Sequence, residues 1–216
     1  MAQKLQQLNH LEIWWCSEMV QIISTEQDED IPKGSSLIRK LNSTTNPSSS
    51  VLPTAIFGKL KLLQIFHCDS LKHILPMSLA QGVLQLEKFL ISDCCNLEQI
   101  IIVNRDREKQ AMGTAVFPHL RVLELLSLPN LSMVSEGVLC HDWPLLEILK
   151  VLQCPKLKRL PVNPQAATKL REIVVSEEWS NVLKCDDQSV DMLHLQERDK
   201  QLGCYILANW SLGDSD

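Results

Sequence analysis

Residues 60–74 read LKLLQIFHCDSLKHI, and this stretch decides the fold. Its apolar residues follow the pattern L-x-x-L-x-I-x-x-C-x-x-L-x-x-I. Most of this pattern recurs along the chain, which indicates a repeat protein. The repeat contains packing residues and carries no chemistry of its own, so we expect a binding role.

The six-position template occurs in five nearly complete copies and one partial copy. In the fourth copy Leu128 replaces the cysteine, and in the sixth Glu178 falls at that position. The template residues, copy by copy, are Leu8, Leu11, Ile13, Cys16, Met19 and Ile22; Leu60, Leu63, Ile65, Cys68, Leu71 and Ile74; Leu86, Phe89, Ile91, Cys94, Leu97 and Ile100; Leu120, Leu123, Leu125, Leu128, Leu131 and Val134; Leu146, Leu149, Val151, Cys154, Leu157 and Leu160; and Leu170, Ile173 and Val175.

The copies begin 52, 26, 34, 26 and 24 residues apart. A leucine-rich repeat spans about 20–29 residues, so two of these spacings contain insertions. The inserted residues are polar, and we predict exposed loops at about 24–56 and 103–114. Because 52 is twice 26, a decayed repeat inside the first gap is left open, with Leu37 and Leu41 as its traces.

The alternation L-x-L places two apolar side chains on one face of a short strand. Parallel strands, one per repeat, stack about 4.8 Å apart into a sheet. The sequence therefore predicts an α/β leucine-rich-repeat solenoid over residues 1–180, with a curved parallel sheet and an irregular or short-helical convex side. Residues 181–216 are predicted to form a C-terminal cap or tail.

Residues around the template predict further details. Phe57, Phe117 and Trp143 stand three residues before a repeat start, where we expect them to plug the core between coils. Ala2-Gln3 and Ala80-Gln81 are expected to be helical on the convex side. Cysteine, where many leucine-rich repeats use asparagine, offers mostly packing, so we expect a somewhat less regular turn there.

Composition excludes several classes of function. The net charge of −5 disfavours nucleic acid as the main partner. The first residues do not form a signal peptide, and no apolar run reaches the roughly 18 residues of a spanning helix. We therefore expect a cytoplasmic or nucleocytoplasmic protein with reduced cysteines and no membrane span.

Motifs of catalysis or cofactor binding are missing from the sequence. It has no G-x-x-x-x-G-K-[ST], H-E-x-x-H or C-x-x-C. His67-Cys68-Asp69 resembles a nucleophile site superficially, but Cys68 is a core residue of the template. Cys94-Cys95 is a poor chelator, and the acidic run 26–30 fits a solvated loop. We predict no catalytic, cofactor or metal site, and no cofactor.

The exposed positions of the predicted sheet carry large apolar side chains. Such patches often mark interaction surfaces, and aromatic residues are favoured anchors. The alternatives are that neighbouring repeats or another domain cover this surface, or that the repeat has decayed. The predicted partner-binding stripe on the concave face consists of Trp14, Trp15, Phe66, His67, Leu126 and Leu152.

The template, the motif Phe117-Pro118-His119-Leu120 and the runs 157–161 and 177–179 together resemble one family. They are similar to the C-terminal leucine-rich repeats of plant intracellular coiled-coil nucleotide-binding disease-resistance proteins, over about residues 5–185. The resemblance implies that the repeats sense pathogen effectors or modified host proteins and hold a nucleotide-binding switch inactive. This sequence lacks the coiled-coil and nucleotide-binding domains, so nucleotide binding is not carried over, and a fragment or a stand-alone repeat protein is expected.

Two functions of different classes follow. The first is a non-catalytic protein-recognition module in plant defence, whose partner is a pathogen effector, a guarded host protein or a nucleotide-binding domain. The alternative is a leucine-rich-repeat adaptor that binds substrates for another complex, such as a ubiquitin ligase. An enzyme is not predicted, because the catalytic motifs are missing.

Overall fold

The computed structural model describes residues 6–23, 57–103, 116–135, 143–162 and 167–176, together with the strand backbones at 36–38, 195–197 and 204–208. Most of the two predicted insertions, and Ala2-Gln3 and Glu178, lie outside the described residues. In chain order the elements are β1 (His10–Trp14), β2 (Gln21–Ile23), β3 (Ser36–Ile38), β4 (Leu62–Phe66), β5 (Leu75–Pro76), α1 (Met77–Ala80), β6 (Lys88–Ser92), β7 (Gln99–Ile102), β8 (Val122–Leu126), β9 (Met133–Ser135), β10 (Ile148–Leu152), β11 (Glu172–Ser176), β12 (Leu195–Glu197) and β13 (Cys204–Ala208).

The largest sheet takes one strand from each repeat. Its order is β1-β4-β6-β8-β10-β11-β13-β12, and the first six strands are parallel. Equivalent template positions face each other across neighbouring strands, as Leu11 faces Leu63 and Leu63 faces Phe89. The predicted leucine-rich-repeat solenoid is thereby confirmed. The sheet passes directly from β1 to β4, although 52 residues separate the two repeat starts.

The template residues form one continuous core. Those of the second, third and fourth copies are all buried. The first copy is less enclosed, since Leu8, Leu11 and Cys16 are only partly buried against this core. Losing a fully buried leucine such as Leu125 would cost about 2–5 kcal/mol, because the coils on either side hold the cavity open.

The aromatic residues that precede three repeat starts are buried as predicted. Phe57, Phe117 and Trp143 are at most 3% exposed. The backbone carbonyl of each accepts a hydrogen bond from the leucine three residues later, at 3.0 Å in all three coils. The Trp143 Nε1–H also donates to the carbonyl of Val116 at 2.9 Å, which satisfies the one polar atom of this buried ring.

The turn after each strand has the same conformation in five coils. The residue before the cysteine position has a left-handed backbone, with φ between 52° and 56° and no glycine among the five: Trp15, His67, Asp93, Ser127 and Gln153. In the first four of these coils the amide of this residue continues the sheet by donating to the next coil, as Trp15 N does to Phe66 O at 3.1 Å. The expectation of a less regular turn was therefore wrong.

The cysteines at the next position also do more than pack. The Sγ of Cys68 and the Sγ of Cys154 each lie 3.4 Å from the carbonyl oxygen two residues earlier. The Cys154 thiol also lies 3.5 Å from Leu125 O in the preceding coil. A thiol is a weak donor, so it partly replaces the hydrogen bonds of asparagine. The turn does not depend on it, because the coil with Leu128 has the same left-handed residue at Ser127.

The opposite side of the coils carries short parallel strands that the sequence pattern did not predict. β5, β7 and β9 form a three-stranded sheet, and β2 pairs with β3. The single turn of helix α1 ends at Ala80, in agreement with the expected helical segment there. In residues 181–216, β13 pairs antiparallel with β11 and with β12.

Replacement of Gln153 by glycine should stabilise the protein. A left-handed backbone costs a residue with a side chain about 1–2 kcal/mol, which glycine avoids, although glycine loses more entropy on folding. We expect Gln153→Gly to raise the free energy of unfolding by about 1 kcal/mol in urea denaturation. The control Lys158→Gly, an exposed position that does not have a positive φ, should lower it. A Gln153→Gly variant as destabilised as the control would contradict the left-handed turn.

Candidate protein-binding surface

The solvent side of the largest sheet, called the sheet face below, is built from three rows of side chains. Each strand contributes its first, third and fifth residue, while the second and fourth enter the core. A fourth row comes from the left-handed residues just after the strands. Because the strands are in register, side chains that lie 24–52 residues apart in the sequence become neighbours along a row.

Four of the predicted stripe residues meet at the first two coils. The rings of Trp14 and Phe66 lie 4.3 Å apart between centroids, and Trp15 stacks on His67 at 4.0 Å with 9° between the planes. Trp14 is 48% exposed and Trp15 is 70% exposed. We call these four residues the aromatic patch; its two ring pairs are neighbours because Trp15 follows Trp14 and His67 follows Phe66 in the sequence.

The other two stripe residues form a separate patch. Leu126 of β8 faces Leu152 of β10, but Ser92 of β6 stands between them and Phe66. The predicted stripe is thus two apolar patches rather than one.

The expectation that every position of this row is exposed was wrong. Ser92 is buried and its hydroxyl donates to Asp93, whereas Phe66, Leu126 and Leu152 are half-buried. Neighbouring strands are only about 4.8 Å apart, so large side chains in one row cover each other and enclose a small one.

Two carboxylates border the aromatic patch, and the sequence pattern did not single them out. The Trp14 Nε1–H donates to Glu12 Oε2 at 3.1 Å, and Glu12 Oε1 lies 2.8 Å from His10 Nε2. On the other side, Asp93 Oδ2 lies 4.0 Å from His67 Nε2. Glu12 stands two residues before Trp14 in the same strand, so its place on the same face could have been predicted from the sequence.

A row of alternating charges runs beside the sheet face, at the position after the first leucine of the second to sixth repeats. The carboxylate of Glu87 accepts from Lys61 Nζ at 2.9 Å, and Glu147 binds the guanidinium groups of both Arg121 and Arg171. The hydrogen bond from Lys61 holds the pKa of the Glu87 carboxyl below its ordinary value. The alternation Lys, Glu, Arg, Glu, Arg aligns opposite charges coil by coil and favours this stacking order.

The cysteines that the template places in the core are free thiols. Cys68, Cys94 and Cys154 are free and buried, whereas Cys95 is free and exposed. Burial raises the pKa of the Cys154 thiol to about 11, and a hydrogen bond with Cys68, followed by burial, raises the pKa of Cys94. The same hydrogen bond with Cys94 lowers the pKa of the buried Cys68 thiol, and burial opposes this shift. His67 points to the surface while Cys68 enters the core, so the two do not form a nucleophile site.

The described ranges contain neither a metal-binding cluster nor a membrane-spanning helix. No group of three or more His, Cys, Asp or Glu in these ranges is arranged to hold a metal ion. Among the described residues, no helix has the length and apolar character to cross a bilayer.

Residues 37–178 match the family "Plant disease resistance protein RPS2-like, leucine-rich repeats". The chain belongs to this family. Two similar proteins of Arabidopsis thaliana are the disease resistance protein UNI, 30% identical over 137 residues, and the disease resistance protein SUMM2, 27% identical over 156 residues. No solved structure gives a significant match.

The matches cover most of this chain but a small part of the relatives. The alignment with UNI takes in 61% of this chain and 14% of UNI, and that with SUMM2 takes in 70% of this chain and 17% of SUMM2. The RPS2-like membership confirms the resemblance inferred from the template and identifies the sheet face as part of a plant disease-resistance leucine-rich-repeat region.

Neutralising Glu147 should weaken the charge row. Its carboxylate serves two arginines and is 18% exposed, so Glu147→Gln should lower the free energy of unfolding by about 1 kcal/mol at low salt. High salt screens the row, so the difference from the wild type should shrink. The matched control is Glu98→Gln, an exposed residue that bonds to Lys72 and Ser132 through its backbone. Equal effects of the two substitutions on the free energy of unfolding, in urea titrations at both salt concentrations, would contradict a stabilising role of the charge row.

Proposed function

We propose that this chain is a non-catalytic protein-recognition module in plant defence, and that it binds its partner through the sheet face. The partner classes that fit the family are a pathogen effector, a guarded host protein and a nucleotide-binding domain. The observation that carries the proposal is the aromatic patch, where two adjacent tryptophans are 48% and 70% exposed.

Exposing these rings to water is unfavourable. Burying apolar area is worth about 25 cal/mol per Å², so a partner that covers both indoles recovers several kcal/mol. Tryptophan is also the residue most often found at the energetic centre of protein interfaces. The half-buried Leu126 and Leu152 offer a second apolar contact on the same face.

The residues around the aromatic patch favour a specific interface over non-specific hydrophobic association. Glu12 orients the Trp14 indole by accepting its N–H, and His67 holds the Trp15 ring by stacking. Anchors that are fixed in this way lose little conformational entropy on binding. Polar groups around an apolar centre are the usual arrangement of a protein-binding site.

The double substitution Trp14→Ala with Phe66→Ala tests the proposal. It removes the ring pair from the sheet face but leaves the core template intact, so circular dichroism should still show cooperative unfolding. Proteins captured by the wild-type chain from infected and uninfected leaf extracts, identified by mass spectrometry, should be lost with this variant.

The matched control is Leu84→Ala. Leu84 is 51% exposed and lies between α1 and β6, away from the sheet face. This variant should capture the same proteins as the wild type. An identical set of captured proteins with the Trp14→Ala, Phe66→Ala variant would contradict binding through the aromatic patch.

A further inference from the structure

The aromatic patch has a specific chemical character. Its rings expose π faces, and the carboxylates Glu12 and Asp93 border it on two sides. The groups in the rows that can carry positive charge are His67 in the patch and His10, both charged only when protonated, and Lys88, which is exposed on β6. An aromatic surface edged by carboxylates attracts cations, because both the ring faces and the carboxylate oxygens are negative.

Trp15 is the strongest indication that this character is functional. Its φ of 56° places a bulky aromatic residue in the left-handed region, which is unfavourable for such a side chain. The turn does not require tryptophan, since Ser127 and Gln153 form the same turn in other coils. A strained residue that is also largely exposed contributes little to its own fold and points to a role in binding.

We propose that the aromatic patch binds an arginine side chain of a partner protein, which rests on the function proposed above. One face of the Trp15 ring stacks on His67, and the ring's 70% exposure leaves the opposite face open to a guanidinium group. Glu12 and Asp93 accept hydrogen bonds from cationic ligands. Arginine fits this combination better than lysine, because its planar group stacks on indole while its N–H fork pairs with a carboxylate.

The charges disfavour other occupants. An acidic peptide or a phosphate group would meet Glu12 and Asp93, and the whole chain has a net charge of −5. A purely apolar segment would remove Glu12 and Asp93 from water and offer them no positive charge, which is costly.

A displayed library of short random peptides, selected on the intact chain, tests the proposal. Peptides selected on the wild type should be enriched in arginine, and the enrichment should disappear on Trp15→Ala and on Glu12→Gln with Asp93→Asn. A selected peptide, remade with citrulline in place of arginine, should bind about tenfold more weakly by fluorescence polarisation, because citrulline keeps the shape but loses the charge. Leu84→Ala should select the same peptides as the wild type.

The outcomes separate the two proposals. If the selected peptides require Trp14 and Phe66 but show no preference for arginine, or if the citrulline peptide binds equally well, the arginine proposal is wrong and the protein-recognition proposal stands. If no peptide is enriched on the wild type relative to the Trp14→Ala, Phe66→Ala variant, both are contradicted.

Discussion

In-register hydrogen bonding between the coils is the constraint on which the rest of this structure depends. Each strand pairs with the equivalent residues of the next repeat, whether the repeats begin 24 or 52 residues apart. A slip of one residue would turn the core side chains to the solvent and the sheet-face side chains to the core. The large burial energy of the template residues therefore fixes the register. The register in turn decides which distant residues become neighbours on the sheet face, so the packing of the core determines the geometry of the proposed binding surface without taking part in it.

The turn after each strand separates the core-packing residues of the repeat from the residues that it presents on the surface. The left-handed residue reverses the chain, and the following thiol or leucine returns it to the core. Backbone geometry and the buried position define this turn, so the left-handed residue itself is free to vary, and it is tryptophan, histidine, aspartate, serine and glutamine in five coils. Each of these side chains costs some stability, which the cooperative core of stacked repeats offsets. A conserved scaffold can thus present a variable row of side chains, as expected of a recognition module whose partners differ.

Sequence reasoning predicted the parts of the structure that repeat. The template positions, the strands and the buried Phe57, Phe117 and Trp143 followed from spacing alone, because a fixed period places equivalent residues in equivalent surroundings.

The left-handed turn was missed because glycine and asparagine, its usual markers, are replaced there. The short strands opposite the main sheet were missed because two to four residues carry too little periodicity. The division of the stripe at Ser92, and the contacts of Glu12 and Asp93, depend on side-chain size and on neighbours from other coils. The charge row could have been predicted from the sequence, because aligning the repeats shows opposite charges alternating at the position after the first leucine.

The contact between the first two coils is the most direct test, because it joins residues 52 positions apart and creates the aromatic patch. Solution NMR of the full chain measures it through nuclear Overhauser effects between aromatic protons. The stacking described above predicts cross-peaks between the rings of Trp14 and Phe66 and between those of Trp15 and His67, whose centroids lie 4.3 and 4.0 Å apart. Cross-peaks from Trp14 to Ile65 or to the ring of His67 instead, or no cross-peak between these coils, would contradict both the register and the proposed binding surface that depends on it.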